Sequence, residues 1–456
     1  MPVHIAMFGW PLIVAVLFVT LPARRAVIAG ILAGWLFLPN AGYPIESLPD
    51  YTKLSATTIG VLMGAVLFDF RTVSTFRPTW YDLPITVWCV WHFVSSVATG
   101  YGAWDGISQF LNQFVGWGAP YLLGRVYFRD LAAVRELAVG LFISALVYLP
   151  LVVFEIRMSP TLHTWVYGFH QHSIIQAKKG DYWRPTVFLP HGLAVAMFMA
   201  SGAIVGFGLW RSGAVRAIRA VPMGWLVFAV ATATALSSSM GATVLMVVGI
   251  GGLWMIGRFK SRGVVLVILA FPLLYVFTRV VMGWDGRALI DLAAEVSTER
   301  ADSLRTRINS ETASIGQLQG AAFLYGLGRF IGAGVALEEG GSVIIADAYW
   351  LIAFIRTGAV GLLAMMATLL LPCWMCVRRL PPRVWMDPRA APAVSLSVVV
   401  ALWMSDNMFN AMPNPIFQVA AGAVQTAVAA LTARHAATQQ VAAGTRARPG
   451  TEAVRS

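Results

Sequence analysis

The sequence predicts an all-α polytopic membrane protein of about twelve to thirteen transmembrane helices. Three observations carry that prediction. The chain has 456 residues, of which 58% are hydrophobic and only 12% charged, with a mean hydropathy of +0.71; a soluble chain carries roughly a quarter charged residues. Apolar runs of about 17 to 22 residues recur from Ile5 to Leu431, each long enough to cross a hydrocarbon core of roughly 30 Å as a helix. Basic residues fall in short clusters between those runs. In a soluble protein a formal net charge of +12 would suggest nucleic acid; here the placement of the cations reports orientation, and no nucleic-acid partner is implied.

Taken in order, the predicted spans are 5–21, 24–39, 54–69, 83–98, 107–123, 133–154, 188–209, 221–237, 241–257, 263–281, 347–371, 392–408 and 416–433. The first run lacks a basic leading region and is followed by Arg24 and Arg25, so it reads as a retained span with an outer N-terminus. Alternate connections hold Arg24/Arg25, Arg71/Arg77, Arg125/Arg129/Arg135, Arg211/Arg216/Arg219, Arg258/Lys260/Arg262 and Arg378/Arg379/Arg383/Arg389, which the positive-inside rule assigns to the cytoplasm. The intervening connections hold most acids, among them Glu46, Asp50, Asp105, Glu155, Asp285, Glu311 and Asp347, and face outward. Trp104, Tyr127, Trp183, Trp210, Trp284 and Tyr349 mark run ends, where amphipathic rings favour the headgroup level. Residues 1–433 thus form one transmembrane domain, and 434–456, rich in Ala, Thr, Gln and Gly, read as a disordered cytoplasmic tail.

Inner connections are short, whereas two outer ones are long, 155–187 and 282–346. Long loops in compact proteins are usually functional or structured. In the second, Leu292, Ala293, Val296, Leu304, Ile308 and Ile315 keep helical spacing, which predicts an amphipathic helix lying on the membrane or capping a cavity. The glycine-rich stretch from Gly326 to Gly341 cannot be a regular helix. No internal repeat is visible, which weighs against a transporter of inverted repeats.

Metal and redox chemistry find little support. Cys373-x-x-Cys376 lacks a second ligand pair, Cys89 lies alone in an apolar run, and His170-x-His172 has no nearby acidic ligand. The outer arginines are more informative, because a guanidinium fork matches phosphate oxygens. Arg305 and Arg307 each have a helical acid within reach, Asp302 and Glu311, so a surface explanation competes with phosphate binding. Arg300 has no such partner. Arg184 and His191 flank the mouth of a span, where headgroup contact and interfacial hydrogen bonding are the competing readings. Asp347 opens a helix and suits either capping or proton transfer. Arg356, nine residues on and so roughly 13 Å deeper by helical rise, needs a partner, for which Asp406 is the candidate.

The succession Arg184-Pro185, Phe188-x-Pro190-His191-Gly192, Arg307, Gly326-Leu327-Gly328, Asp347-Ala348-Tyr349-Trp350-Leu351 and Gly358-Ala359-Val360-Gly361-Leu362 resembles the O-antigen ligase and polysaccharide polymerase superfamily. These are integral-membrane glycosyltransferases with a GT-C-like fold, and the resemblance covers mainly residues 184–362. It implies a multi-pass protein of the bacterial inner membrane with a periplasm-facing site, a polyprenyl-diphosphate-linked glycan donor, a glycan or lipid acceptor, membrane lipid around it, and an inverting transfer with no cofactor or metal. Arg184, Arg307, Arg300 and Arg305 would hold the diphosphate, and Asp347 or His191 would act on the acceptor hydroxyl. Asp347 and Ala348 stand where the ligases carry His and Asn, which favours an exopolysaccharide or O-antigen polymerase. The alternatives are a ligase acting on a lipid or protein acceptor, and a noncatalytic or transport subunit of a lipid-linked glycan export system.

Overall fold

A computed structural model describes residues 1–446 except 47, 173–176, 180–181, 329–334, 340–341 and 345–347. Among the described residues the chain is all-α apart from four two-stranded antiparallel ladders in its connections. In order the helices are α1 (Pro2–Thr20), α2 (Ala23–Phe37), α3 (Lys53–Val73), α4 (Leu83–Ala98), α5 (Ala103–Gln113), α6 (Ala119–Tyr127), α7 (Leu131–Met158), α8 (Leu162–Tyr167) and α9 (Gly192–Arg211). They continue as α10 (Met223–Leu236), α11 (Met240–Phe259), α12 (Gly263–Val280), α13 (Arg287–Val296), α14 (Thr298–Gly316), α15 (Ala321–Tyr325), α16 (Tyr349–Arg379), α17 (Ala391–Asp406) and α18 (Pro415–Arg446).

Among the described residues seven helices, α1, α3, α7, α9, α11, α12 and α16, are long and apolar enough to cross a membrane, and the apolar helices α10, α17 and Pro415–Leu431 are shorter. This is a polytopic membrane fold. The described parts of the connections 159–191 and 281–348 approach each other at the loop end of the bundle, where Arg184 and Arg307 interact, while Arg24 and Arg25 reach Glu136, Arg125 the Arg77 carbonyl and Arg135 the Ala214 carbonyl at the arginine end. The last helix continues to Arg446, past the inner boundary expected near residue 433.

Burial sorts the helices into a centre and a rim. Nearly all of α9 and every residue of α17 are buried, whereas α1, α11 and α12 expose large apolar side chains such as Leu12, Val247 and Leu274. Exposed apolar surface on helices of this length is what a lipid-facing rim requires. Where lipid is the solvent, close helix contact depends on small residues. At the crossing of α6 and α18, a Cβ on Gly124 would meet the Val419 carbonyl oxygen at 2.2 Å, and one on Gly422 the Tyr121 carbonyl oxygen at 2.3 Å. At the arginine end, Arg125 grips Asp82 with Nε to Oδ1 at 2.6 Å and Nη2 to Oδ2 at 2.8 Å, and Nη1 donates to Thr426 Oγ1 at 2.7 Å. That pair, counted among the orienting cations, is buried and joins the start of α4 to α6 and α18.

Two predicted elements take a different form. The span expected over 107–123 is α5 and α6 separated by a π-turn over Phe114–Gly118. The single amphipathic helix expected from Leu289 onward is a helical hairpin, α13 and α14, turning at Ser297, whose extended backbone (φ −168°, ψ 135°) interrupts the helix. Ile290, Ala301 and Ile308 form a small core between the two, supported by Ala293 and Leu304. A continuous apolar stripe is compatible with folding back as well as with lying flat, so periodicity alone did not separate the two.

The helix α16 is 31 residues long, which exceeds a bilayer core, and it breaks at Gly358 (φ 62°, ψ −165°). The carbonyls freed by the break are satisfied by the glycine-rich segment: Leu327 N donates to Ile355 O at 2.7 Å and Gly328 N to Arg356 O at 3.2 Å. Ser95 Oγ, near the loop end of α4, also donates to Arg356 O at 2.6 Å. Gly326 and Gly358 face each other backbone to backbone, so a Cβ on Gly358 would lie 2.4 Å from the Leu324 carbonyl. Arg356 lies in the unbroken turn just before Gly358, level with Ser95 of α4, whose hydroxyl bonds its carbonyl; Asp347, from which its depth of roughly 13 Å is counted, lies outside the described residues.

Gly358→Ala must adopt a positive φ and displace backbone, and should destabilise the detergent-solubilised protein by about 2 kcal/mol or more. Gly251→Ala, with nothing near its added methyl, should be neutral or stabilise by up to about 1 kcal/mol. Thermal unfolding of the two variants side by side checks this; equal midpoints would contradict the packing described.

Candidate functional site

The loop end is organised around the stretch 184–191, which is irregular, buried and enters α9. Val187 has a positive φ of 50°. Backbone of this kind buried in an apolar bundle needs partners for its polar groups. Glu155, fully buried on α7, supplies them on one side: Oε2 accepts from Thr186 N at 2.8 Å and Val187 N at 2.7 Å, and Oε1 from Leu162 N at 3.0 Å. Tyr148 Oη accepts from Phe188 N at 3.1 Å. Lys53 Nζ donates to Phe188 O at 2.7 Å, and Gln171 Nε2 donates to Val187 O and Leu189 O at 3.1 and 3.2 Å. His191 closes the stretch as the cap of α9, its Nδ1 accepting from Leu193 N at 3.0 Å, with the His172 ring packed edge-on at 4.6 Å.

This framework fixes Arg184. Its backbone N donates to Ala177 O at 2.8 Å, its Nη2 donates to Ser238 O at 2.9 Å, and its stem crosses Gly192, where a Cβ would meet Cγ at 2.3 Å. The Nε is buried without a hydrogen-bond partner. Burial, and then the charge of Arg307, lower the Arg184 guanidinium below its ordinary value.

Arg307 comes from α14, far along the chain. The helical pair with Glu311 that spacing suggests does not form: Glu311 is taken by Arg279, with Nε to Oε2 at 2.9 Å, and by Tyr275, whose Oη donates at 3.0 Å. Both partners of that ion pair are buried, and it fastens α14 to the end of α12. Arg307 makes no hydrogen bond or ion pair among the described residues, yet its charge acts on Arg184, Tyr275 and Asp406. Asp406, buried at the end of α17, accepts from Asn410 Nδ2 at 2.7 Å. Two cations and one carboxylate, drawn from three elements, thus share a neighbourhood at the loop end.

The predicted pair of Arg356 with Asp406 is corrected. Arg356 Nη2 donates to Gln109 Oε1 on α5, while Asp406 accepts from Asn410 and feels the charge of Arg307. Arg305 keeps the helical pair with Asp302 at 3.1 Å, with both side chains exposed. Arg300 lies on α14 with its side chain outside the described residues, and Asp347 lies outside them altogether. His170 bonds to the carbonyls of His172 and Pro160, and no cluster of His, Cys, Asp or Glu suited to a metal occurs among the described residues. Cys89, Cys373 and Cys376 are free and buried.

Chemically, two guanidinium groups held together in partly desolvated surroundings repel each other, and an anion with two or more charges relieves that repulsion. The residues missed by sequence reasoning are Glu155, Tyr148 and Lys53, which build the platform, and Asp406 as the neighbour of Arg307. Pro190 and the following His-Gly signal irregular backbone, but the buried donors and acceptors that meet it come from distant helices. Comparison with protein-family models and with curated proteins gives no match to this chain.

His163, on α8, supports the first loop in its neutral form: Nε2 accepts from Asn40 N at 3.1 Å while Nδ1 bonds Phe169 O at 2.8 Å. Desolvation lowers its pKa from 6.5 to about 4. In that interval the unfolded chain binds the proton and the folded one does not, so this contribution is complete above pH 6.5 and is lost as pH falls through the interval toward 4. Its size is at most about 3 kcal/mol. Thermal midpoints of wild type and His163→Gln across that range should show a pH-dependent component in the wild type that the variant lacks.

Proposed function

We propose that this chain is a membrane glycosyltransferase of the O-antigen polymerase and ligase type, lengthening or transferring a glycan carried on a polyprenyl diphosphate. In this reading it lies in a bacterial inner membrane with the loop end in the periplasm. With α2, α4 and the α5/α6 pair as further crossings, the chain makes about thirteen passes. The observation that supports the reading is that Arg184 and Arg307, from the two long connections, act on each other electrostatically while Arg307 makes no hydrogen bond or ion pair among the described residues.

An acceptor hydroxyl attacks the anomeric carbon of the donor while the bond from that carbon to the diphosphate oxygen breaks, inverting the centre. Negative charge grows on the departing diphosphate, so cations held in advance favour the transition state over the bound donor. Arg307 and Arg184 fill that role. Asp406 moderates their mutual repulsion before the donor arrives. Asp347, two residues before α16 in the sequence, is the proposed acceptor of the hydroxyl proton, with His191 employed chiefly as a helix cap. The α13/α14 hairpin, fastened by Glu311 and Arg279, shields the reacting centre and limits transfer to water. No nucleotide enters this chemistry.

The test is chain lengthening by the purified protein in lipid with polyprenyl-diphosphate-linked repeat units. Arg307→Ala should slow it by about a hundredfold or more, and Asp347→Ala should stop it. Arg305→Ala, whose side chain is spent on Asp302 at the surface, should retain near-normal rates. Normal lengthening by Arg307→Ala would overturn the assignment. In cells lacking the protein, single repeats should accumulate on the periplasmic face; accumulation on the cytoplasmic face would instead assign transport.

A further inference from the structure

Joined to α16 through Arg356 and Gln109, α5 carries a polar stripe: Asp105, Ser108, Gln109 and Asn112 recur at the spacing of one helical face. A polar stripe on a helix of a membrane bundle is expensive unless it meets water or another polar surface. Here it meets the connection before α3, and between them opens a cleft of about 330 Å³ lined by Leu48, Pro49, Asp50 and Thr52 on one wall and Ser108, Gln109 and Asn112 on the other. That volume is at the lower end of small-molecule sites.

The chemistry of the walls is specific. No cationic side chain lines the cleft, and Asp50 brings a carboxylate, so a phosphate is disfavoured there. What the walls offer is hydrogen bonding in both directions: an acceptor at Asp50, a hydroxyl at Ser108, and amides at Gln109 and Asn112. The side chains of Asp50, Ser108 and Asn112 make no hydrogen bonds of their own among the described residues. Gln109 is oriented from behind: Arg356 donates to its Oε1, which leaves the amide nitrogen as the donor available to the cleft. One turn before Ser108 on the same face stands Trp104, 60% exposed, an aromatic surface suited to the apolar face of a ring.

We infer that this cleft binds a pyranose unit of a glycan, with Gln109, Asn112, Ser108 and Asp50 pairing with its hydroxyls and Arg356 positioning Gln109. Neighbouring hydroxyls each donate and accept, and planar amides and a carboxylate are the side chains that match such pairs. The binding itself does not depend on the enzymatic reading. If that reading holds, the cleft is the subsite for the acceptor glycan, separate in its lining from Arg184 and Arg307.

The test uses the full chain in lipid nanodiscs and saturation-transfer NMR with the methyl glycosides of glucose, galactose, mannose, rhamnose and N-acetylglucosamine as probes. At least one glycoside should receive saturation from the wild type. Gln109→Glu keeps an acceptor for Arg356 but removes the donor, and should weaken the binding at least about fivefold, as should Asn112→Leu. Arg356→Lys should weaken it as well, and Gln109→Glu with normal thermal stability excludes a merely structural effect. Arg307→Ala should bind the glycoside as the wild type does, so loss of lengthening and loss of sugar binding separate the two proposals. No saturation of any of the five by the wild type, or unchanged binding by Gln109→Glu and Asn112→Leu, overturns the inference.

Discussion

The grip of the buried Glu155 carboxylate on the amides of Thr186 and Val187 is the interaction on which the loop end depends. It holds non-helical backbone inside an apolar bundle, where an unpaired N–H or C=O carries a penalty of several kcal/mol. Tyr148, two turns earlier on the same helix, and Lys53 and Gln171 from two other segments complete the same task. Because this stretch is fixed, Arg184 is fixed, and with it the place where a second guanidinium from α14 raises the local positive charge. The break in α16 obeys the same rule with different parts: its freed carbonyls meet amides of the glycine-rich segment and the hydroxyl of Ser95.

Much of this was legible in the sequence where a single element decides the outcome. Apolar runs gave the membrane-crossing helices, because run length and composition are properties of one segment. Arg184 and Arg307 were singled out from residue chemistry and loop length, and the structure brings them into one neighbourhood. The pairing of acids with bases was far less legible. Spacing offered Glu311 to Arg307 and Asp406 to Arg356, yet Arg279 takes Glu311 and Gln109 takes Arg356. Those partners sit on other helices, and helical periodicity holds no information about which face of a distant helix will arrive. Arg305 with Asp302, a pair internal to one helix, was readable for the converse reason.

Charge at the loop end is arranged in two grades. Ion pairs that fasten elements, Arg279 with Glu311 above all, are buried and fully partnered, consistent with a structural duty. Arg184 and Arg307 are the opposite case, like charges close enough to act on each other, with the Asp406 carboxylate within reach of Arg307. A fold tolerates such an arrangement when other contacts over-determine the side chains, and here the contacts of Arg184 with Ser238 and Gly192 serve that end. Arg356 is intermediate, spending its guanidinium on an amide instead of a carboxylate.

The acceptor for Lys53 lies 135 residues downstream of it. During synthesis α3 therefore emerges long before Phe188 exists, so its ammonium lacks the carbonyl acceptor it has in the finished fold. At the boundary end of a helix such a side chain reaches water by extending along the surface. It must then withdraw into the interior, against the Trp35 ring, when the segment preceding α9 arrives. Early helices of the chain would thus be assembled in a loosened arrangement, and the arrival of residues 184–191 would act as the step that closes them.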